Sequence, residues 1–526
     1  MTETIQQPRM HAAEAETVPE EQPAAWETAV LLALAFLVSL WYWFGHTRLS
    51  ASAAYRGLGI GLTLSHWILS GAVLLLAKKR GILRFTPAGA FLLLLSLLLS
   101  AAYGIYANIV MKLLNLPVLL CLSAQALFAL TGRNECFPLS AQGLWEGFRR
   151  CFRSLFASWA LPFRALARRL RGRAEGAGGA GRILFGLFAA SGAAALALLL
   201  LSGADEVFAG MMNSGIEKLN RIDGLFAARL ILSLPLAMLL FSHLVSMLMP
   251  PVELRAVSPG AKNPTAIRMV LFALAAVYGL FAYIQIRYLF AGAESVRMSG
   301  GYAAYARSGF FQLVLVALLT LCLILPSLIF CREDRPVRVL SAVVAVLTAV
   351  IDFSAFFRMR LYIGAYGLTT LRIVTLWGIG VILLALLAAL AKSFRPSLRI
   401  CPLLAAAALT TWTGLNYMNM DRTVAENQVA RFNEAFSGKA WPSAPGGEPA
   451  FSDRIAALAS DQGWSPDYYP AFEKIENPSA REQALKLLKT RSAPKNPGEA
   501  PYTFPRLYDW TLSDLKVPQE PFPPVP

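Results

Sequence analysis

Acids, arginines and tyrosines gather in four stretches of this chain, and any chemistry open to it starts there. The first stretch, 204–208, carries Asp205 and Glu206. The second, 294–311, carries Glu294, Arg297, Tyr302, Tyr305 and Arg307. The third, 352–372, holds Asp352, Arg358, Arg360, Tyr362, Tyr366 and Arg372. The fourth, 416–431, holds Asn419, Asp421, Asn427 and Arg431. Arginine forks match the paired oxygens of a carboxylate or phosphate, and tyrosine offers a ring and a hydroxyl. If the four stretches share one side, they can line a single polar vestibule. A structural alternative stands beside this: arginine and tyrosine at the ends of apolar helices reach for the interface, and Asp352 pairs with Arg358 or Arg360.

No nucleophile–base or phosphate-loop pattern accompanies them. Ser-His-Asp, HExxH and Walker sequences are absent, and the glycine-rich run 172–181 lacks the following Lys-Ser/Thr. No catalytic residue and no cofactor is therefore assigned, and whether the chain is an enzyme stays open. His66 and His243 each stand alone in an apolar run, so no metal site is expected. The six cysteines form no CxxC pair, which argues against a disulfide framework and a zinc knuckle.

The elements that must position these residues are membrane helices. The chain has 526 residues, 56% hydrophobic and 15% charged, against about 25% charged in soluble domains. Apolar runs long enough to cross a bilayer fall near 27–45, 56–77, 87–106, 109–131, 183–203, 225–249, 268–291, 309–331, 338–357, 371–391 and 400–419. The fold class is thus an all-α polytopic bundle of about eleven spans, 27–420, with a small, mostly helical extramembrane region at 421–526. Residues 1–26 read as a disordered acidic leader. The runs at 87–106 and 109–131 form either a tight hairpin or a kinked pair around Asn108 and Pro117.

Charge sets orientation. With the N-terminus inside, the inner connections carry 24 Lys+Arg and the outer ones 12, which predicts a cytoplasmic N-terminus and an extracytoplasmic C-terminal region in a bacterial cytoplasmic membrane. The net charge of +16 sits in the membrane part, since 421–526 holds 12 Lys+Arg and 14 Asp+Glu. This excludes a nucleic-acid groove as its cause. Ten arginines fall within the cytoplasmic loop 132–182. Aromatic and leucine residues from Trp145 to Leu170 recur there at spacings of three and four among Arg149, Arg150, Arg153 and others. The segment 145–173 reads as an amphipathic helix on the inner leaflet, broken near Pro162, with anionic lipid as its partner.

The polar stretches also carry a resemblance. The segments Tyr-Ala-Ala-Tyr-Ala-Arg at 302–307, Arg-Met-Arg-Leu-Tyr at 358–362, Tyr-Gly-Leu-Thr-Thr-Leu-Arg at 366–372 and Asn-Met-Asp at 419–421 are similar to those of an uncharacterised family of bacterial multi-pass membrane proteins. It is the domain of unknown function four-one-seven-three, with its sibling four-one-five-three, and the resemblance covers roughly 180–435. It implies a multi-spanning architecture and no activity. Within the core motif, Gly367 can take positive φ and reverse the chain, and Thr369 or Thr370 can cap the next helix. Arg372 then falls in the unfavourable first turn of that helix, where Asp352 or Glu294 is expected to relieve it. Three functions stay in view: a non-enzymatic envelope sensor or scaffold with unknown protein partners, a transporter, and a polytopic glycosyl or lipid transferase with an outer-face site.

Overall fold

A computed structural model describes residues 24–44, 58–132, 134, 136–163, 224–249, 264–289, 310–436 and 465–492, with three isolated positions besides. Residues 1–23 of the expected leader 1–26, the apolar run at 183–203 except Ala197 and Leu201, and the helical pattern near 451–461 lie outside the described residues, while Ala25 and Trp26 already belong to the first helix. Within them every regular element is helical. The order is α1 Ala25–Phe44, α2 Ile60–Lys79, α3 Pro87–Ile105, α4 Ile109–Leu130, α5 Ala141–Ala157, α6 Gly224–Ser246 and α7 Pro264–Leu289. Then follow α8 Phe310–Phe330, α9 Arg335–Tyr366, α10 Thr370–Phe394, α11 Ile400–Tyr417 and α12 Met420–Phe436. A 3-10 turn Pro466–Tyr468, α13 Tyr469–Phe472 and α14 Pro478–Ser492 close the list.

Nine helices among the described residues are long and apolar enough to cross a membrane. They are α1 to α4 and α6 to α10. Their outward faces stay apolar: Leu75, Phe272 and Phe311 are 70%, 68% and 76% exposed, as side chains turned to lipid are. The expected run at 400–419 becomes α11, whose polar end at Asn416–Tyr417 leaves it outside that set. It nevertheless runs back alongside α10 and packs on α3. At 18 residues it is about 27 Å long.

Side-chain ties fix which helix ends lie together. Glu27 at the start of α1 accepts from Arg80 just after α2, and Arg80 also bonds Leu248 O beyond α6. Arg84 N donates to Leu130 O at the end of α4 (2.6 Å). At the opposite face, Tyr106 after α3 bonds Tyr417 O (3.0 Å), and Asn108 bonds Thr370 at the start of α10. The start of α1 and the whole of α12 therefore sit on opposite faces. The chain turns sharply between α3 and α4 over Tyr106–Asn108, a hairpin, while Pro117 lies inside α4.

The packing divides into blocks. Leu31, Val73, Phe128 and Phe241 join α1, α2, α4 and α6. Leu99, Leu119, Ile373, Trp412 and Val424 join α3, α4, α10, α11 and α12. Ala317, Ile324, Val344 and Leu386 join α8, α9 and α10. Outside the spans, Val429, Tyr468, Phe472 and Ile475 bury against one another, so α12, the 3-10 turn, α13 and α14 form a small cap.

Candidate functional site: the seam between bundle and cap

The seam begins at a reversal of the chain. Helix α9 ends at Tyr366, and Gly367 takes φ +77°, ψ −177°, a conformation nearly confined to glycine. Thr369 then caps α10, its hydroxyl accepting from Arg372 N. The last carbonyls of α9 have no partner within their own helix. Arginines supply one. Arg372 donates to Tyr366 O (3.1 Å) and to Gly367 O, and its guanidinium lies 4.2 Å from the centre of the Tyr362 ring. Arg431 of α12 donates to Ile363 O (3.1 Å) and to Gly364 O. Gln428 donates to Leu368 O (3.1 Å), and Asn427 accepts from Leu368 N (2.9 Å). Arg372 is thus relieved by the negative end of the preceding helix and an aromatic face; Asp352 does not pair with it, and Glu294 lies outside the described residues.

Gly367 admits no side chain here. An added Cβ would meet Gln428 Nε2 at 2.3 Å and Arg431 Nη1 at 2.8 Å. Gly367→Ala is expected to cost about 1–3 kcal/mol and to loosen α12. Limited proteolysis between α12 and the 3-10 turn, compared with wild type, reads this out; unchanged cleavage would refute it.

Beside the reversal lies a buried polar cleft. Asn108 caps α4 by accepting from Met111 N (2.8 Å), and its amide donates to Thr370 Oγ1 (3.1 Å) and to Asp421 of α12. Lys112 and Asn115 follow on the same face of α4. Asn115 accepts from the Trp412 indole (2.9 Å) and donates to Asn416. Asn416 in turn donates to Trp412 O (2.9 Å), and Tyr103 donates to Lys112 O (2.7 Å). Asn419 donates to Asp467 of the cap (2.8 Å). Asn108, Lys112, Asn115, Asn416 and Asp421 are all buried. The cavity they line has room for about one water molecule. Burial pushes the Asp421 carboxyl up to about 6; the charge of Asp467 adds to this, while hydrogen bonds from Ser465 and Asn108 and the charge of Lys112 oppose it. Amides, one amine and one acid hold elements together well. No group of three metal-ligating side chains occurs among the described residues.

The polar residues singled out in the sequence are distributed as follows. Tyr362, Tyr366, Gly367, Arg372, Asn427 and Arg431 meet at the reversal, and Asn419 and Asp421 meet at the cleft. Asp352 is 1% exposed inside the bundle, and neither of its oxygens makes a hydrogen bond. It forms no ion pair with half-buried Arg358 or exposed Arg360. Asp205, Glu206, Glu294, Arg297, Tyr302, Tyr305 and Arg307 lie outside the described residues. Lys112 and Asn115 were not singled out for a site, and Asn108 entered only as a turn and Asn416 only as the start of the fourth stretch. Their signal was the spacing 108, 112, 115, which puts three polar side chains on one face of an otherwise apolar helix.

The nine apolar spans among the described residues and the helical cap define a multi-pass integral membrane protein. The family of domain of unknown function DUF4153 matches residues 90–437, from within α3 to the end of α12, and the chain belongs to that family. The match is to domain four-one-five-three and not to four-one-seven-three, and it starts well before 180. No curated protein and no solved structure matches the chain.

Proposed function

We propose that this is a non-enzymatic protein of a bacterial cytoplasmic membrane that senses or scaffolds through its C-terminal cap. One observation carries the reading: α12 is not tethered loosely but fastened to the ends of α4, α9 and α10 by Asp421, Asn427, Gln428 and Arg431. A rearrangement among those spans moves the cap, and a partner seated on the cap biases the spans. We place the N-terminus in the cytoplasm and the cap outside, following the 24 Lys+Arg of the inner connections against 12 in the outer ones.

Two measurements test this. Ser479 is exposed on the cap. Ser479→Cys is expected to react with a membrane-impermeant maleimide in intact cells; protection until permeabilisation would reverse the orientation. A chain ending after Phe436 should insert normally yet fail to restore growth of a deletion strain under envelope stress. Full rescue by that chain would overturn the cap's role. A second reading, transport, is favoured by the unpartnered Asp352 within α9.

A further inference from the structure

Helix α5 has its amphipathicity turned outward. Its protein-facing side is small and polar: Gly143, Glu146, Gly147, Cys151 and Ser154 are buried against α4 and α6. The Gln125 amide of α4 donates to Gly143 O (2.9 Å) and Pro138 O (2.8 Å). It lies so close to Gly147 that a Cβ there would sit 1.8 Å from Gln125 Oε1. From α6, Ser242 donates to Ser154 O (2.6 Å), and His243 Nδ1 lies 2.7 Å from Ser154 Oγ. The opposite side carries Trp145, Phe148, Phe152 and Phe156, between 47% and 61% exposed. The rings of Trp145, Phe148 and Phe152 follow one another, with centroids 6.1 Å and 4.7 Å apart, and Phe156 packs on Trp159 at 5.4 Å. A helix lying against water does the reverse, hiding its aromatic face and exposing its polar one. The medium outside α5 is therefore apolar.

Its place in the fold says which medium. Helix α5 begins ten residues after α4 ends, at the face where Lys78, Lys79, Arg80 and Arg84 cluster. This is the boundary where spans leave the hydrocarbon. Arg149 and Arg153, four residues apart, are both exposed and each follows an aromatic residue, so they stand side by side along one edge of the aromatic face. Neither makes an ion pair among the described residues, whereas Arg150 turns inward to Glu146 (3.8 Å).

We propose that α5 lies in the plane of the membrane with its aromatic face among the acyl chains, and that Arg149 and Arg153 form a binding site for the headgroup of an anionic phospholipid. Two guanidinium forks one turn apart fit the oxygens of a phosphate, and their joint charge favours a headgroup with no compensating cation. The aromatic ladder sets the depth that brings the forks to headgroup level.

The test uses the full chain. A benzoylphenylalanine photoprobe in place of Phe152, irradiated in native membranes, should give a phospholipid adduct by mass spectrometry. An adduct with a second copy or another protein, or no adduct at all, would overturn the in-plane placement. For the headgroup site, the protein is equilibrated in vesicles of phosphatidylcholine and phosphatidylglycerol, and the lipid it retains on extraction is counted. Arg149→Gln with Arg153→Gln should lower the preference for phosphatidylglycerol roughly thirtyfold, about fivefold per arginine. The double lysine variant, which keeps the charge, should retain most of it and controls for folding. An unchanged preference in the glutamine variant would refute the site.

Discussion

Acidification from about pH 7.5 to about pH 5 is expected to tighten the docking of α12 on the bundle, and Asp421→Asn is expected to abolish that response. Asp421 is buried at the seam and its carboxyl is raised to about 6 from 3.8. The groups that face it are Asn108 and Lys112 from α4, Thr370 through Asn108, and Ser465, Asp467 and Tyr468 from the cap. A carboxyl with a raised value binds its proton more tightly docked than free. Its contribution to docking is therefore full below the free value and is lost as pH rises through the docked one. The full shift is worth about 3 kcal/mol, of which acidification from about pH 7.5 to about pH 5 recovers about half. Glu426, held low by Lys474 and Arg422 within the cap, acts in the opposite sense, but only below its ordinary value of 4.5. It therefore leaves the window clear. Amide hydrogen exchange across α12 as a function of pH measures the effect. Asparagine at 421 keeps the shape and stays neutral, so its protection should be flat and close to the acid-state wild type. The same slope in wild type and Asp421→Asn would locate the titrating group elsewhere. Asn108→Ala, which strips the acid of its amide partner, should cost about 1–3 kcal/mol of docking at neutral pH.

What could be read in the sequence follows from the range of the forces involved. The spans were legible because lipid imposes one requirement on some twenty consecutive residues, and that requirement shows as an unbroken apolar run. The two ends of the cap, α12 and α14, were legible for a similar local reason, their helical periodicity. The cleft was not. Lys112 counts as an outer-loop charge when loops are tallied, yet it is buried in α4, one turn from Asn108. The opposite charge that faces it is Asp421, about three hundred positions away. Arg372 illustrates the same limit. Its own helix offers it the wrong end of a dipole, so an acid partner looks necessary. Only the glycine reversal brings the right end of the neighbouring dipole beside it. Helix α5 was visible as an amphipathic pattern; periodicity does not say which face looks outward, and the answer came from Gln125 and Ser242 taking the polar one.

Asp352→Leu is expected to make the protein more stable and less functional. Asp352 lies on a stripe of α9 with Ala345, Thr348 and Ala355, all essentially inaccessible, facing the neighbouring spans of its block. Neither oxygen has a hydrogen-bond partner among the described residues. An acid in such a place, charged or neutral, gives up its hydration without recovering hydrogen bonds, a deficit of about 2–4 kcal/mol. Leucine removes the deficit and adds apolar contact. The melting temperature of the detergent-solubilised protein should therefore rise by a few degrees, against the usual result of a core substitution. If it falls, the carboxyl has a stabilising partner after all and the argument fails. Retention of a costly group where leucine would pack better is what a working site produces. The second arm measures that work. On the transport reading, vesicles containing wild-type protein conduct protons or a coupled solute down an imposed pH gradient, and those with Asp352→Leu or Asp352→Asn do not. Equal flux in all three would remove the one observation that favours transport. A stabilised variant that still supports growth under envelope stress would leave the cap as the working part.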